Sequence, residues 1–212
     1  MAAPDAILFD LDGTLVDSRL DLATTVNLAL RDVGLSVRPP EEIFGFIGEG
    51  ARRLLERSVS PHLEVLEPAL AAWAGHYADH LLDTTGAYPG IAALLARLRP
   101  PLAVHTNKPG TFARRLLDGL GLAPRFAFVL GGGDGPARKP SPEGALALLA
   151  RLGVNPGRAV YVGDSHVDVE TARAAAMRFV GVAWGLGGER QLRAAGAAEI
   201  VATAAELEQS LR

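Results

Sequence analysis

Residues 7–18 read ILFDLDGTLVDS. Ile7, Leu8 and Phe9 form an apolar run that ends in a carboxylate, Asp10. A second, Asp12, follows two positions on, ahead of Gly13 and Thr14. On an extended chain residues i and i+2 share a face, about 6.6 Å apart. If the chain turns after Asp10, both carboxyls can face one group of atoms from different sides. Like charges about 4 Å apart repel by about 4 kcal/mol at an effective dielectric of 20, and apolar surroundings make that worse. A buried strand ending this way calls for positive charge from elsewhere in the chain or from an ion.

Outward from this stretch, short apolar runs recur at 102–106 (LAVHT), 126–131 (FAFVLG), 159–164 (AVYVGD) and 178–183 (RFVGVA). Between the later runs lie helical patterns. Ile91, Leu94, Leu95 and Leu98 are spaced by threes and fours, and the patterns at 111–121 and 142–153 both stop at a glycine. Strands alternating with helices at this spacing predict an α/β fold, a Rossmann-like parallel sheet covered on both faces. The exception follows the first strand. Residues 18–83 carry helical periodicity, as in the Leu22, Val26, Ala29, Val33 stripe, and no strand pattern. We therefore expect an α/β core of residues 1–14 and 87–212, with a helical cap domain of residues 15–86 inserted after the first strand. The seams fall at 14–18 and at 84–90, where TTGAYPG has linker chemistry. Ligands bind at the carboxyl ends of strands in such sheets, and an insertion there can act as a lid.

The polar residues at those strand ends should meet along one rim. They are Asp10 and Asp12, Thr106 and Asn107, Asp164 with Asp168 four residues on, and Lys139 from the loop GPARKPSP. Four carboxylates in one place need a cation. Mg²⁺ suits all-oxygen ligands and partly neutralises phosphate, which points to a phosphorylated substrate. One aspartate could then act as a nucleophile on phosphorus while the other protonates the leaving oxygen.

Four pieces carry a resemblance to a known family. DLDGTLVD (10–17), VHTNK (104–108), RKPSPE (138–143) and VYVGDSHVDVETARAA (160–175) resemble, in order and spacing, the four signatures of the haloacid dehalogenase superfamily. The resemblance implies that Asp10 carries the phosphoryl group and that Asp12 serves as acid and then base. Thr106 and Lys139 would hold phosphate oxygens, assisted by backbone N–H groups near Gly13 and Asn107. Mg²⁺ would be bound by the Asp10 carboxylate, the Asp12 carbonyl and Asp164, with Asp168 in support. An acid at the position of Asp12 separates the chain from the dehalogenases that name the superfamily. Lys108 and Lys139 are the only lysines, so the helical module lacks the lysine of the phosphonate-cleaving branch. FIGEGARRLLERSV (46–59) and GGGDGPARKPSPE (131–143) resemble phosphoglycolate phosphatases. That likeness implies substrate contacts from Gly48, Gly50 and Arg53 or Arg52. Two positions depart from the pattern. Glu49 places a negative charge where an amide is usual, and Ala176 stands where glycine is usual, a change expected to affect packing only.

Taken singly, each piece has an ordinary reading. DGT can be a turn, Thr106 a strand-end hydrogen bonder, Lys139 a solvated lysine, and Asp164 with Asp168 a turn and helix cap. Their joint occurrence in order argues otherwise. His76 and His80, at i and i+4, suit a solvated pair or a metal site, and His166 adjoins the Asp164 loop. Trp73 and Trp184 are expected to pack, and Asp17 with Ser18 to cap a helix or serve a hinge. The formal charge of −3 is dispersed and there is no cysteine. Neither nucleic acid nor a membrane surface is expected as a partner, and disulfides are excluded. Without a signal-peptide pattern or a membrane span, a cytoplasmic protein is expected, as monomer or homodimer. The expected activity is a Mg²⁺-dependent phosphatase acting on a small phosphate ester, phosphoglycolate first. A sugar-phosphate mutase shares the same chemistry. A phospho-accepting signalling receiver would be shorter and lack the helical module, and a non-catalytic binder would not need Asp12, Thr106 and Lys139 together.

Overall fold

The computed structural model describes residues 3–135 and 137–212. Six strands form one sheet: β1 (Ala6–Phe9), β4 (Leu102–Pro109), β5 (Phe128–Gly132), β6 (Ala159–Gly163), β7 (Arg178–Val182) and β8 (Ile200–Val201). Their order is β5-β4-β1-β6-β7-β8, and every neighbouring pair is parallel. Phe9 of β1 lies between Val104 of β4 and Val162 of β6. This register brings the ends of the three central strands to one rim.

Side chains of β1 alternate between two cores, as a sheet covered on both faces requires. Ala6 and Leu8 pack with Ala103, Tyr161 and Leu148. Ile7 and Phe9 join the larger cluster, which contains Val104 and Val162. The side of Ala6 and Leu8 is covered through α7 (Glu143–Leu152) and α8 (His166–Ala174), and the side of Ile7 and Phe9 through α5 (Ile91–Arg97) and α6 (Gly110–Gly119). Helices α9 (Gly188–Ala194) and α10 (Ala204–Ser210) complete the C-terminal part.

Between β1 and α5 the chain forms α1 (Arg19–Asp32), α2 (Pro40–Phe44), α3 (Ala51–Val59) and α4 (Leu66–His80). Their apolar residues Leu22, Val26, Leu54, Trp73 and Tyr77 belong to the same cluster as Phe9 and Val104, so one apolar core runs from the sheet into the helical segment. The segment is entered and left through an antiparallel ribbon of β2 (Val16–Asp17) and β3 (Gly86–Ala87). Asp21 of α1 fastens this joint: its carboxylate accepts from the N–H and hydroxyl of Thr84 (3.0 and 2.6 Å) and of Thr85 (2.8 and 2.7 Å). No helix among the described residues is long and apolar enough to cross a membrane.

Three local features depart from the sequence reading. Strand β4 continues past Thr106 because it bulges. His105 pairs with Leu130 and Pro109 with Gly132, so β4 advances four residues while β5 advances two. Ser18 does not cap α1 with its side chain; it turns toward Asp12, while Asp17 pairs with Arg19 (2.6 Å). Ala176 sits at φ +55° in a Schellman turn that ends α8. Its N–H donates to Arg173 O (3.1 Å) and that of Met177 to Ala172 O (2.9 Å). The position requires a left-handed backbone, which alanine enters at a steric cost that glycine avoids. Trp184 does pack, against Tyr88, and its indole donates to Thr14 O (3.1 Å).

Candidate active site

Beyond Asp10 the chain turns tightly. The N–H groups of Leu15 and Val16 both reach back to Leu11 O, and Gly13 adopts φ +85°. A Cβ at Gly13 would stand 2.3 Å from Asp164 Oδ2, so only glycine allows the β1 turn to lie against the β6 loop. That contact positions Asp164. Its Oδ1 accepts from Thr14 Oγ1 (3.0 Å) and its Oδ2 from Leu186 N (2.7 Å). Asp168 is held at the start of α8 by a capping box with Ser165, whose hydroxyl donates to Asp168 Oδ2 (2.6 Å).

Asp10, Asp164 and Asp168, all buried, offer carboxylate oxygens within 4.8 Å of one another. Lys139 Nζ reaches into this group, 2.7 Å from Asp168 Oδ1 and 2.8 Å from Asp10 Oδ1. The contact to Asp168 is a hydrogen bond. Asp10 Oδ1 lies off the hydrogen-bonding direction and has no aligned donor among the described residues. Burial, reinforced by the charge of Asp168, pushes the Asp10 carboxyl up to about 7 despite Lys139. Burial and the charges of Asp168 and Asp10 push Asp164 well above the carboxylate range. The Lys139 ammonium is held well above its usual value, because Asp10 and Asp168 outweigh its burial. One lysine therefore does not neutralise three buried carboxylates. All-oxygen donors with a deficit of positive charge suit a hard divalent cation.

The fourth carboxylate stands apart from the expected cluster. Asp12 faces Lys108, whose Nζ donates to both its oxygens (2.9 and 3.2 Å), and Ser18 Oγ adds a bond of 2.5 Å. Lys108 is buried, with Nζ 4.6 Å from the centre of the Tyr77 ring. Although burial opposes it, Asp12 holds the Lys108 ammonium above the usual lysine range. Lys108 and Ser18 were not singled out as site residues from sequence. One signal was available: both lysines of an arginine-rich chain stand in strand-end motifs, and both prove buried at the site.

Thr106, Asn107, Asp10 and Asp12 floor a cavity of about 410 Å³, open mouth included, whose roof is Leu22, Ile47, Leu54 and Trp73 with the Gly48–Gly50 turn. Thr106 Oγ1 accepts from Lys108 N (3.2 Å). The Asn107 side chain is engaged by protein: Oδ1 accepts from Lys139 N (3.0 Å), and Nδ2 donates to Lys139 O (3.2 Å) and Gly48 O (3.1 Å). It braces the Lys139 loop and the helical segment together. Gly50, at φ +90°, has no room for a Cβ, which would meet Asn107 O at 3.0 Å.

The structure does not bring Arg53 or Arg52 to this cavity. Arg53 is exposed and paired with Glu56 (2.8 Å), and Arg52 with Glu67 (2.5 Å). Arg57 lines the adjoining cleft instead, with Asp10, Asp12, Asp164 and His166, and pairs with Glu49. The negative charge of Glu49 is thus balanced by Arg57 of α3. His76 and His80 diverge to separate partners, Asp32 (2.7 Å) and Asp83 (2.8 Å).

The model of the haloacid dehalogenase-like hydrolases matches residues 7–182, and the chain belongs to that family. It is similar to the phosphoglycolate phosphatase of Neisseria meningitidis, 38% identical over 86% of this chain and 81% of that one. To the phosphoglycolate phosphatase of Rhodospirillum rubrum it is 39% identical over 86% and 80%. The crystal structure of a predicted phosphoglycolate phosphatase from Haemophilus somnus superposes over the full length of both chains, with a TM-score of 0.94 at 29% identity. By family and relatives, the chain is a phosphoric monoester hydrolase.

Proposed function

We propose that the protein is a Mg²⁺-dependent phosphatase that hydrolyses a small phosphorylated metabolite, 2-phosphoglycolate first, through a phosphoryl group carried on Asp10. The supporting observation is the convergence of Asp10, Asp164, Asp168 and Lys139 beside a cavity that Asp12 and Thr106 also line. The curated relatives of similar length are phosphoglycolate phosphatases, which favours that substrate.

An Asp10 carboxylate oxygen attacks phosphorus, and the bond from phosphorus to the leaving alcohol breaks. Asp12 gives its proton to the departing oxygen. In the second half Asp12 takes a proton from water. The hydroxide attacks phosphorus, breaks the acyl phosphate and returns Asp10 as carboxylate. Thr106 and Lys139 orient phosphoryl oxygens. Lys108 and Ser18 hold Asp12 on the leaving-group side, because its oxygens have no other side-chain partners among the described residues. Asp10 and Asp164 would hold Mg²⁺, with Asp168 behind them and the Asp12 carbonyl alongside. The unaligned Asp10 Oδ1 and the unbalanced charge of the cluster fit that role. Bound there, Mg²⁺ supplies charge neutralisation to the phosphoryl oxygens.

We further read residues 15–86 as a cap over a core of residues 1–14 and 87–212. The ribbon and the Asp21 clamp make the joint between them. A cap here shields phosphoryl transfer from bulk water. The decisive experiment measures phosphate release from a panel of phosphorylated metabolites with and without Mg²⁺. Asp10→Asn should leave less than about 1% of turnover, consistent with loss of the nucleophile. Turnover by Asp10→Asn near the wild-type rate, or isomerised sugar phosphate without released phosphate, would refute the reading.

A further inference from the structure

Asp10 and Asp12 line two spaces, the cavity under Leu22 and Trp73 and the cleft beside it that Arg57 borders. The two differ in charge. Among the described residues no arginine lines the cavity, and its Lys108 is buried against Asp12. The cleft is bordered by four carboxylates, Asp10, Asp12, Asp164 and Glu49, and by one arginine, Arg57. A second negative group on a substrate would be repelled there unless a cation meets it. Lys139, the other lysine of the chain, is already held between Asp10 and Asp168. Arg57 is placed for that role. It also borders an outer groove beside Leu63, but its guanidinium pairs with Glu49, which borders the cleft and not that groove. Both side chains reach solvent, at 39% and 33% exposure. Only one guanidinium nitrogen has an acceptor among the described residues, and that acceptor is Glu49. Ion pairs this exposed are weak, and the remaining donors of the fork suit a second carboxylate.

We propose that Arg57 is the specificity-determining residue for the leaving group: it binds a carboxylate of the alcohol in the cleft, and Glu49 competes with that carboxylate for its charge. This inference rests on the phosphatase reading above and narrows the substrate class to phosphate monoesters with a carboxylate on the alcohol. Glu49 sets how strongly the charge is read. Its carboxylate holds the guanidinium at the cleft before substrate arrives and offsets part of its charge once substrate is bound.

The test is the ratio of kcat/KM for 2-phosphoglycolate to that for 2-hydroxyethyl phosphate, in which a hydroxymethyl group replaces the carboxylate. It is measured in wild type, Arg57→Gln and Glu49→Gln. A loss common to both esters cancels in the ratio. Arg57→Gln should lower it by about tenfold, the scale of one hydrogen bond between charged groups. Glu49→Gln should raise it by about threefold, the scale of an exposed ion pair. A fall of less than about threefold in Arg57→Gln, or a ratio at or below wild type in Glu49→Gln, overturns the proposal and leaves the phosphatase reading intact. An equal fall in Arg53→Gln does the same. That variant removes the same charge from the same helix, outside the cavity and cleft that Asp10 lines, so only the general field would be read. No hydrolysis of either ester by wild type overturns both readings. Should Arg57→Gln not fold, the direction of the change in Glu49→Gln decides.

Discussion

The two walls of the site are built differently. On the sheet side, the ionisable side chains are buried or nearly so, and those around Asp10 are held by named partners. Asp164 is held by Thr14 and Leu186, Asp168 by Ser165 and Lys139, and Asp12 by Lys108 and Ser18. On the helical side no ion pair lines the cavity itself, and one, Arg57–Glu49, borders the adjoining cleft. Arg52–Glu67 and Arg53–Glu56 are solvent-exposed pairs, Glu56 alone being part-buried, and such pairs contribute at most about 1 kcal/mol. What the helical wall offers the cavity is mostly apolar surface, from Leu22, Ile47, Leu54 and Trp73. The difference teaches a division of labour. On the proposed reading, the groups that would act on phosphorus are positioned before substrate arrives, while the helical wall contributes mostly apolar surface to the cavity.

The largest effect should come from breaking the sheet side at its least expected member. Lys108→Met removes the ammonium from between Asp12 and Tyr77 while keeping much of the chain's volume. Asp12 would be left 12% exposed without its counter-charge. General acid–base work contributes about 10²–10⁴-fold, and Asp12 is oriented chiefly by Lys108. We expect kcat to fall by about a hundredfold, with KM moving far less. Stability should fall as well, by about 3–5 kcal/mol, the scale for breaking a buried pair. Steady-state kinetics alongside denaturant unfolding separate the two. A kcat within about twofold of wild type in a folded variant would show that Lys108 only packs.

A smaller effect should follow from loosening the joint between the walls. Burial alone would raise the Asp21 carboxyl, but the bonds from Thr84 and Thr85 outweigh it and hold the group below the usual range. A folded value below the unfolded one, about 3.9, means that the charged form stabilises the native state. That stability is complete above the unfolded value and is lost as pH falls through the folded one. Asn at position 21 can accept at only one oxygen and turns donors toward two backbone N–H groups. Asp21→Asn should therefore cost about 2–3 kcal/mol near neutrality, the range for bonds to a charged group. Thermal unfolding of both proteins at several pH values checks the sign. The gap in Tm should narrow as pH drops below about 4. A gap independent of pH would mean that the Asp21 charge is not what fastens the seams.

How far the sequence revealed these walls follows from what each contact depends on. Five sheet strands were legible because their apolar runs are long enough to carry a pattern. Strands β2, β3 and β8 are two residues each, too short for alternation to register. The motif residues Asp10, Asp12, Thr106, Lys139, Asp164 and Asp168 were legible through strand ends in a parallel sheet. Their partners were not. Lys108 meets Asp12 across 96 positions and Asp21 meets Thr84 across 63, and no spacing rule spans that distance. Lys108 lies within the bulge of β4, between His105 and Pro109, and a bulge cannot be read from residue types. The placement of Arg53, outside the cavity over Asp10 but in a neighbouring pocket with Lys139 and His166, was not legible for a related reason. A helix N-terminus after Gly50 and a basic run do not say which arginine a neighbouring glutamate will claim, and here Glu56 holds Arg53 while Arg57 reaches the cleft.

The smallest effect lies outside both walls, at the end of the helix that carries Asp168. Ala176 holds φ +55° in the Schellman turn after α8. An L-residue pays about 1–2 kcal/mol for the left-handed region, whereas glycine enters it without steric cost. Ala176→Gly relieves that strain but widens the unfolded ensemble, an opposing entropic effect of about 0.4–1 kcal/mol. The net expectation is stabilisation of about 0.5 kcal/mol, with kcat unchanged, since the opposite end of α8 supplies Asp168. Denaturant midpoints for the two proteins measure it. A loss of stability would mean that the alanine methyl makes contacts worth more than the backbone strain. The turn would then be held by packing, as the sequence reading supposed.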